Sequence, residues 1–401
     1  MQKAGGFTAE VAVVGGGPAG LTAAVALASA GVDTIVIGPA HRPDNRTTAL
    51  LAGSVAALET LGIWPSCHAQ ASPLSALRII DDRGGLLHAP EVTFRAGEIG
   101  LAAFAHNIEN RHLMDALTSR MRDLPALRTI GTAVTAVRSD GLGVTLHLAD
   151  GGVVRTPLAV GADGRDSLCR SAAGIDVARW SYPQTALTCN LHHDRPHQDT
   201  STEFHTAAGP FTLVPLPGLH SSLVWVVKPA DAERLSGLSN EEFALTVERQ
   251  AHSLLGKMEV VSARAAFPLS GQSARRFARN RIVLIGEAAH LVPPIGAQGF
   301  NLGMRDAATI AELVADARGG DFGSAPLLDR YDQMRQADVR SRTFAVDLLN
   351  RSLLADFLPL QGARSFALAL LDRIGPLRRA VMREGVAPRA GEPRLMRGEA
   401  L

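Results

Sequence analysis

Cysteine is scarce in this chain. The 401 residues include three cysteines, Cys67, Cys169 and Cys189, which form no CxxC pair. Their spacing argues against a disulfide framework and a zinc site, and it indicates a reducing, cytoplasmic environment. No cluster of histidine, cysteine and carboxylate has metal-ligand spacing, so no metal is expected. Tyrosine is scarcer still, and the two tyrosines, Tyr182 and Tyr331, make a tyrosine proton relay an unattractive hypothesis.

Excess charge and long apolar runs are also lacking. Forty basic and thirty-nine acidic residues give a net charge of +1, so there is no overall field to attract nucleic acid, and no nucleic-acid partner is expected. Two uncharged stretches, residues 11–32 and 209–227, are interrupted by glycine and proline, so neither predicts a transmembrane helix. The amino terminus shows no signal-peptide pattern.

The beginning of the chain has the pattern of a dinucleotide-binding unit. A short apolar strand at 11–14 is followed by a glycine turn, an alanine-rich helix and a second strand at 34–37, which predicts a parallel sheet covered by helices. The turn, Gly15-Gly16-Gly17-Pro18-Ala19-Gly20, fits GxGxxG. Gly15 would make the tight turn, Gly17 would let a pyrophosphate approach the backbone, and Gly20 would let helix and strand pack closely.

One part of such a unit is missing. An acidic residue is expected at the end of the second strand to bind the ribose hydroxyls, but the sequence there is Ile37-Gly38-Pro39. Asp33 precedes the strand and would lie at its wrong end. The ribose contact is therefore expected from backbone, water or another segment, and weaker adenosine binding is the alternative.

The remaining chain predicts a mixed α/β fold. Helices are predicted at 110–121, 240–255 and 299–317, and from 326 to about 383; strands are predicted at 77–80, 132–138, 144–148, 185–192, 211–214, 221–227, 260–267 and 281–285. The strands at 132–138 and 144–148, joined by Asp140-Gly141, form a predicted hairpin. Those between 185 and 267 form a predicted antiparallel sheet with one helix. The last residues, rich in Pro, Gly and Arg, are expected to fray.

Three further motifs carry a resemblance to a known family. Residues 161–167 with Arg170, residues 286–290, and residues 293–303 ending at Asp306 resemble the motifs of FAD-dependent aromatic hydroxylases over nearly the whole chain. Residues 45–50, 61–64 and 298–306 look most like the UbiH/UbiF ubiquinone-biosynthesis hydroxylases. The double proline Pro293-Pro294, where this family usually has His-Pro, resembles para-hydroxybenzoate hydroxylase instead.

The resemblance implies a domain organisation. It predicts a Rossmann-like FAD-binding domain of the glutathione-reductase type over residues 1–75, 97–178 and 275–330. This domain is interleaved with an antiparallel β-sheet substrate domain over residues 76–96 and 179–274. A C-terminal helical region is predicted for residues 331–401.

The resemblance also implies site residues. Those predicted to bind FAD are Gly15, Gly17, Pro18, Ala19, Gly20, Arg46, Thr47, Arg111, Asp163, Glu287, Pro294, Gly296, Gly299, Phe300 and Asn301. A helix starting at Gly299 would direct the N–H groups of Phe300 and Asn301 at the anionic N1–O2 edge of a reduced flavin. Glu287 would hold the ribityl chain, where the family usually has aspartate.

Several of these residues allow a second interpretation. The carbonyl of Pro294 is predicted to face the substrate, and Arg46 and Arg111 to lie near the flavin and its pyrophosphate. Arg111 is alternatively part of a solvated helix face, and Asp163 part of a plain turn. His290 is interpreted as a histidine that satisfies loop backbone, and a catalytic role is disfavoured.

The predicted function is FAD-dependent hydroxylation, with O2, of the aromatic ring of a polyprenylated phenol in ubiquinone biosynthesis, with NAD(P)H as a transient reductant. Strand residues Leu213, Val214, Leu223, Val224 and Val226 either line the pocket for the lipophilic tail or are ordinary core. The apolar segment 343–382 either contacts the inner membrane or a ubiquinone-biosynthesis protein, or packs as a helical hairpin. The alternatives are a soluble FAD hydroxylase of a small aromatic compound and a non-catalytic flavin-fold scaffold.

Overall fold

A computed structural model describes residues 6–39, 44, 46–83, 90–294, 296–354, 374–386 and 391–401. The strands are, in chain order, β1 (Gly6–Thr8), β2 (Val11–Val14), β3 (Thr34–Ile37), β4 (Thr47–Leu51), β5 (Ala71–Leu74), β6 (Ala76–Asp81), β7 (Val92–Arg95), β8 (Ala105–Glu109), β9 (Leu127–Ile130), β10 (Val134–Ser139), β11 (Val144–Leu148), β12 (Val153–Thr156), β13 (Leu158–Gly161), β14 (Val177–His193), β15 (Thr200–Thr206), β16 (Gly209–Leu216), β17 (His220–Val227), β18 (Met258–Val260), β19 (Ala265–Ala274), β20 (Ala278–Arg279), β21 (Ile282–Leu284) and β22 (His290–Leu291). The α-helices are α1 (Pro18–Ser29), α2 (Ala52–Thr60), α3 (Trp64–Cys67), α4 (Asn110–Arg122), α5 (Leu168–Ala172), α6 (Pro229–Ser236), α7 (Asn240–Gln250), α8 (Gln298–Asp316), α9 (Ala325–Leu354) and α10 (Gly375–Val386).

The first sheet has the strand order β20-β21-β13-β2-β3-β9. Strands β21, β13, β2, β3 and β9 pair in parallel, and α1 and α8 pack against each other beside them. The predicted βαβ unit is confirmed, with both strands at the predicted bounds. Because parallel strands end at the same edge, the segments that follow β2, β13 and β21 lie at one edge of this sheet. Those segments carry three of the four predicted motifs.

The predicted hairpin is also present. Strands β10 and β11 pair antiparallel, and β10 begins at Val134, two residues after its predicted start. The pair joins β12 and β1 in a separate four-stranded sheet. A further small sheet, β4-β8-β5, connects the first sheet to the large one.

The large sheet has the order β22-β19-β14-β17-β16-β15-β6-β7, with β18 paired to β14. It is antiparallel as predicted, apart from the parallel pair β15–β6. Three predictions within it are wrong. The strand predicted at 260–267 is two strands, β18 and β19. The segment predicted to hold one helix holds two, α6 and α7, and α7 ends at Gln250 rather than near 255. Strand β15 was not predicted.

One face of the large sheet is covered by its own helices. Leu187, Phe211 and Trp225 belong to a buried cluster with Leu235 of α6 and Phe243 of α7. The other face therefore remains for contact with the rest of the molecule. Strands β6 and β7 belong to this sheet, although they precede it in sequence. The predicted domain boundaries themselves stay a prediction.

The predicted frayed tail is wrong. Residues Arg394–Arg397 form a short 3-10 helix, in which Leu395 and Met396 are buried in the core of the first sheet. Arg394 pairs with Asp316 of α8 at 2.6 Å. A tail rich in Pro, Gly and Arg was expected to stay solvated, because composition does not show that Asp316 lies nearby. Helices α9 and α10 agree with the helical pattern after residue 326, and residues 355–373 lie outside the described part.

No helix in the described part of the chain is long and apolar enough to cross a membrane. In the same residues, no group of three or more His, Cys, Asp or Glu side chains is placed to hold a metal ion.

Candidate functional site

The glycine loop after β2 has two glycines fixed by packing and one left open. A Cβ atom at Gly15 would lie 2.2 Å from the Ala162 carbonyl oxygen, and one at Gly20 would lie 2.1 Å from the Gly15 carbonyl oxygen. Gly15 also has a φ of +124°, a conformation that favours glycine. By contrast, a Cβ atom at Gly17 would meet no atom of the described residues within 4 Å. Gly17 is therefore where a ligand has room to approach the backbone.

Helix α1 begins at this open position without a cap. Gly17 is its N-cap residue, no side chain accepts a hydrogen bond from its first turn, and that turn holds no acidic residue. Pro18 has no N–H group, so the first donors are those of Ala19 and Gly20. Uncapped N–H groups and the positive end of a helix dipole form an anion site. This geometry fits the diphosphate of a dinucleotide.

The structure explains why glycine, and not an acidic residue, follows β3. A Cβ atom at Gly38 would lie 2.6 Å from the Gly16 backbone nitrogen, so any side chain here would collide with the glycine loop. Asp33 lies before β3, at its amino-terminal end, where it pairs with Arg128 at 2.8 Å. It is not at the edge that carries the glycine loop.

The second motif follows β13 and contacts the first. The Ala162 N–H donates to the Val14 carbonyl at 2.7 Å. The Asp163 carboxylate accepts hydrogen bonds from the Ser167 hydroxyl at 2.6 Å and from the Cys169 N–H at 3.0 Å. Asp163 is therefore committed to the start of α5, which is more than a plain turn. Its predicted contact with FAD stays a prediction.

The third motif follows β21 and packs on the start of α1. A Cβ atom at Gly286 would lie 3.2 Å from the Ala19 methyl group. The Arg170 guanidinium donates to the Ala288 carbonyl at 2.8 Å, which ties the second motif to the third. The Glu287 side chain is half exposed and lies 3.8 Å from Arg165. Glu287 is thus free to reach a ligand beside the glycine loop.

A buried ion cluster behind the third motif was not predicted. Asp306 accepts hydrogen bonds from the Gly286 N–H at 2.9 Å and from Arg335 at 2.6 Å, and His290 Nε2 lies 2.6 Å from it. Burial alone would raise the pKa of Asp306, but the charges of His290 and Arg335 outweigh burial and lower it. His290 therefore pairs with a carboxylate, which corrects the prediction that it satisfies loop backbone. Its buried Nδ1 has no hydrogen-bond partner among the residues that the structure describes.

Helix α8 begins at Gln298, one residue before its predicted start. Its N-cap residue, Ala297, has a φ of +54°, no side chain caps the helix, and its first turn has no acidic residue. Gly296 has a φ of +66°. The first N–H donors of α8 belong to Gln298, Gly299 and Phe300, a second uncapped anion site that fits the N1–O2 edge of a flavin. The prediction that the Asn301 N–H faces the flavin is corrected, because a helix that begins at Gln298 places this N–H in its first intrahelical hydrogen bond.

Asn301 acts through its side chain. Its Oδ1 accepts hydrogen bonds from the Leu51 N–H at 2.9 Å and the Ser54 hydroxyl at 2.7 Å, and its Nδ2 donates to the carbonyls of Ala49 and Ala297 at 2.8 and 2.6 Å. Asn301 thus fixes the start of α8 against β4 and α2. Ala49, Leu51 and Ser54 lie about 250 residues away in sequence, so local pattern could not reveal these contacts.

Arg46 and Thr47 connect this region to the large sheet. Arg46 forms a bidentate pair with Asp44, at 3.0 and 2.8 Å. Although burial would raise the pKa of Asp44, hydrogen bonds from Arg46 and Asn110 lower it to about 2. The Thr47 hydroxyl donates to the Ser222 hydroxyl of β17 at 2.9 Å. The contact of Arg46 with the cofactor stays a prediction.

Two predicted residues have no partner in the site among the described residues. Arg111, on the first turn of α4, is mostly exposed and pairs with its neighbour Glu109 at 2.8 Å. Pro294 is exposed, next to the buried Pro293. The roles of Arg111 at the pyrophosphate and of the Pro294 carbonyl at the substrate stay predictions.

The strand residues predicted to line the pocket for the lipophilic tail lie on both faces of the large sheet. Leu213 and Leu223 pack with α6 and α7, so they are core. Val226 lies on the other face, in a cluster with Tyr182 and Ala186. Tyr182 therefore packs as a sheet residue on the face directed at the rest of the molecule, and its hydroxyl donates to Asp347 of α9 at 2.8 Å.

Comparison with known proteins follows this geometry. Residues 8–343 match the FAD binding domain family. The chain is 37% identical over 407 residues to ubiquinone hydroxylase UbiL of Rhodospirillum rubrum, covering 98% of this chain and 94% of that protein. It is 31% identical over 387 residues to the 3-demethoxyubiquinol 3-hydroxylase of Escherichia coli, covering 93% and 97%.

Solved structures share the fold. The p-nitrophenol 4-monooxygenase PnpA of Pseudomonas putida matches with a TM-score of 0.78 at 20% identity, covering 96% of this chain and 99% of that one. HpxO of Klebsiella pneumoniae, solved with FAD and uric acid, matches with a TM-score of 0.76 at 21% identity, covering 95% and 97%.

The match to the FAD binding domain family and the similarity to two hydroxylases place this chain in the class of FAD-dependent monooxygenases. Within that class, the chain belongs to the ubiquinone hydroxylase family.

Proposed function

We propose that this enzyme hydroxylates the aromatic ring of a polyprenylated phenol in ubiquinone biosynthesis. The observation that carries the proposal is the 37% identity to UbiL over 98% of the chain. The lipophilic tail would strengthen substrate binding, because each CH2 group buried in the protein contributes about 0.8 kcal/mol to the binding free energy.

We further propose where FAD binds. Gly17 and the start of α1 would hold its diphosphate, Glu287 its ribityl chain, and the N–H groups of Gly299 and Phe300 its N1–O2 edge. Asn301 would orient that turn through its side chain. When bound, FAD supplies the activation of O2 and the delivery of one oxygen atom to the ring. The chain's own residues position the ring and exclude water.

NAD(P)H is the proposed reductant, docking transiently because the sequence has one GxGxxG motif. Rapid mixing of the FAD-loaded enzyme with NADH or NADPH, with and without a phenol, tests this step. Loss of the oxidised flavin absorbance supports it. An unchanged spectrum with both nucleotides indicates another electron donor.

The substrate proposal is tested by deleting the gene and analysing quinone precursors by mass spectrometry. We expect a prenylated phenol lacking one ring hydroxyl to accumulate and ubiquinone to fall. Purified enzyme supplied with prenylated and with short water-soluble phenols gives the second measurement. Normal ubiquinone, together with turnover of soluble phenols alone, would contradict the proposal and indicate a small aromatic substrate.

Helix α10 supports a proposal of peripheral membrane contact. Arg378 and Met382 hold one side of the helix, through Glu98 at 2.7 Å and the cluster around Phe94. The other side exposes apolar residues, 39% of Leu377 and 48% of Val381. Arg379 and Arg383 are exposed as well. Exposed apolar and arginine side chains together suit an anionic lipid surface.

Sedimentation with vesicles of mixed neutral and anionic lipid tests this contact. The double variant Leu377→Asp, Val381→Asp should lose most of the bound fraction, because acidic residues replace the apolar contact. The control is Leu142→Asp, at a residue that is 89% exposed in the distant β10–β11 hairpin. Equal vesicle binding by all three proteins would contradict a membrane role for α10.

A further inference from the structure

A buried pair of ionisable side chains lies on the large sheet outside the site described above. Glu203 and His205 are two residues apart on β15, so their side chains share one face. His205 Nε2 lies 2.8 Å from Glu203 Oε1, and the Thr212 hydroxyl donates to Glu203 Oε2 at 3.4 Å. The side chains of His205 and Glu203 are only 5% and 17% exposed. We call this pair the dyad.

The strand register shows which way the dyad faces. Glu203 is opposite Thr212 on β16, and Thr212 is opposite Val224 on β17. Ser222, two residues before Val224, shares that face and accepts the hydrogen bond from Thr47. The dyad therefore lies on the face directed at β4 and the proposed flavin site, and not on the face covered by α6 and α7.

The strand register also gives the distance between Ser222, beside Thr47, and the dyad. Glu203 is two residues along and two strands across from Ser222, which corresponds to roughly 12 Å at about 3.4 Å per residue and 4.8 Å per strand. His205 lies two residues farther along β15, opposite Pro210, so it is four residues along and two strands across from Ser222, which corresponds to roughly 17 Å. An aromatic ring placed between Thr47 and the dyad would have one edge toward Thr47 and the opposite edge toward the dyad.

We propose that His205, oriented by Glu203, accepts the proton of the substrate's phenol hydroxyl. This inference rests on the proposed function. With the Nε2 proton donated to the Glu203 carboxylate, Nδ1 carries the lone pair, and Nδ1 of His205 makes no hydrogen bond within the described residues.

The proposed step is a proton transfer and involves no oxidation. The phenol O–H bond breaks, the proton binds Nδ1, and the electron pair stays on the phenol oxygen, where it enriches the ring for attack on an electrophilic oxygen. The Glu203 carboxylate stabilises the imidazolium. After the ring is hydroxylated, the imidazolium returns the proton to that oxygen of the product.

Tyrosine does not offer this function in the described part of the chain. The Tyr331 hydroxyl donates to the Leu284 carbonyl within the core, and the Tyr182 hydroxyl donates to Asp347. The dyad is thus the proton-accepting group with the better placement.

The test compares His205→Gln and Glu203→Gln with a matched control, His193→Gln. His193 is a fully buried histidine of the same sheet, bonded to Ser221 at 3.0 Å, on the face of Leu191 and the helices. The FAD-loaded full chain is assayed for kcat, KM, O2 consumed and product formed, with a phenol bearing a short prenyl tail.

We expect His205→Gln to lower kcat about 100-fold and Glu203→Gln about 10-fold, with KM changed less than about threefold. Consumed O2 should then appear as H2O2 instead of product. His193→Gln should stay within about threefold of wild type. A kcat of His205→Gln within twofold of wild type, or an equal loss in His193→Gln, overturns the proposal.

The outcomes separate this inference from the proposed substrate. If wild type turns over only a water-soluble phenol, the substrate proposal is wrong and the same variants are compared with that phenol. If wild type hydroxylates no phenol, both proposals are wrong. If His205→Gln does not retain FAD, Glu203→Gln decides, together with the absorbance of a bound phenol: a phenolate spectrum in wild type that persists unchanged in the variant contradicts the dyad.

Discussion

At the scale of single residues, Asp306 joins the third motif to α9. Its two oxygens hold the Gly286 N–H, His290 and Arg335. Asp306→Asn keeps the shape but removes the carboxylate that pairs with His290 and Arg335, and leaves the buried Arg335 with Asp338 alone at 2.6 Å. We therefore expect a loss of about 1.5–3 kcal/mol in the free energy of unfolding, measured in urea. The control, Asp316→Asn, removes an exposed partner of Arg394 and should cost less than about 1 kcal/mol.

The same residue predicts a pH dependence. The pKa of Asp306 lies below its ordinary value of 3.8, so the folded protein keeps the carboxylate ionised where the unfolded chain has bound a proton. Its stabilisation is complete above that ordinary value and declines as pH falls toward the lowered pKa. Wild type should therefore lose unfolding free energy more steeply than Asp306→Asn as pH falls from about 5 to 3. Parallel curves would show that the Asp306 carboxylate does not carry the effect.

At the scale of elements, the β2–α1 turn contains one glycine expected to serve FAD binding, Gly17, and another required for packing, Gly20. Gly17→Ala adds a methyl group where, in the described part of the chain, no atom lies within 4 Å, whereas Gly20→Ala would place one 2.1 Å from the Gly15 carbonyl oxygen. We expect Gly17→Ala to keep the stability of the FAD-free protein and to weaken FAD binding at least tenfold, since the methyl group occupies the diphosphate space. Gly20→Ala should lower stability itself.

FAD titration and thermal unfolding without FAD measure the two quantities separately. Ala23→Gly, within the buried middle of α1, serves as the control because it loosens the helix by about 1 kcal/mol without touching the turn. Normal FAD affinity in Gly17→Ala would contradict the placement of the diphosphate.

The elements that sequence predicted well are those whose pattern is local. The short apolar strands and the glycine turn between Val11 and Ile37 predict β2, α1 and β3, and the Asp140-Gly141 turn predicts a hairpin. Helix α6 was missed although Pro229 occupies its first turn, a recognised start signal, because its eight residues contain one large apolar side chain, Leu235. Strand β15 was missed because its pattern, Thr200 to Thr206, is mostly polar.

The site was predictable in its glycines and not in its supports. The motif at Gly15 was identified from its GxGxxG pattern and those at Asp163 and Gly286 by resemblance, and parallel topology brings them to one edge. The contacts of Asn301 with Leu51 and of Asp306 with Arg335 depend on folding of segments far apart in sequence, which no local pattern encodes. Thr47 and Ser222 meet across two sheets for the same reason.

At the scale of the whole molecule, the carboxyl terminus closes the cofactor region. Residues 391–401 return to α2 and α8, burying Leu395 and Met396. Glu392 lies 3.3 Å from Arg305 of α8 and is in contact range of Gly53 of α2. Asn301 joins the same two helices near the proposed flavin edge. The terminal segment and Asn301 therefore hold α2 and α8 together at two separate sets of contacts.

Removal of the terminal segment should weaken the link that Asn301 makes between α2 and α8. We expect Met396→Ala to lower the free energy of unfolding by about 2–5 kcal/mol, and truncation after residue 390 to lower both Tm and FAD affinity, because α8 then carries its N–H donors on a less constrained helix. Glu399→Gln, whose partner Arg397 is exposed, should change neither. Since bound FAD raises Tm by mass action, Tm is measured with and without saturating FAD. A truncated chain whose Tm rises as much as wild type on FAD addition would show that α2 and α8 hold the flavin edge without the terminal segment.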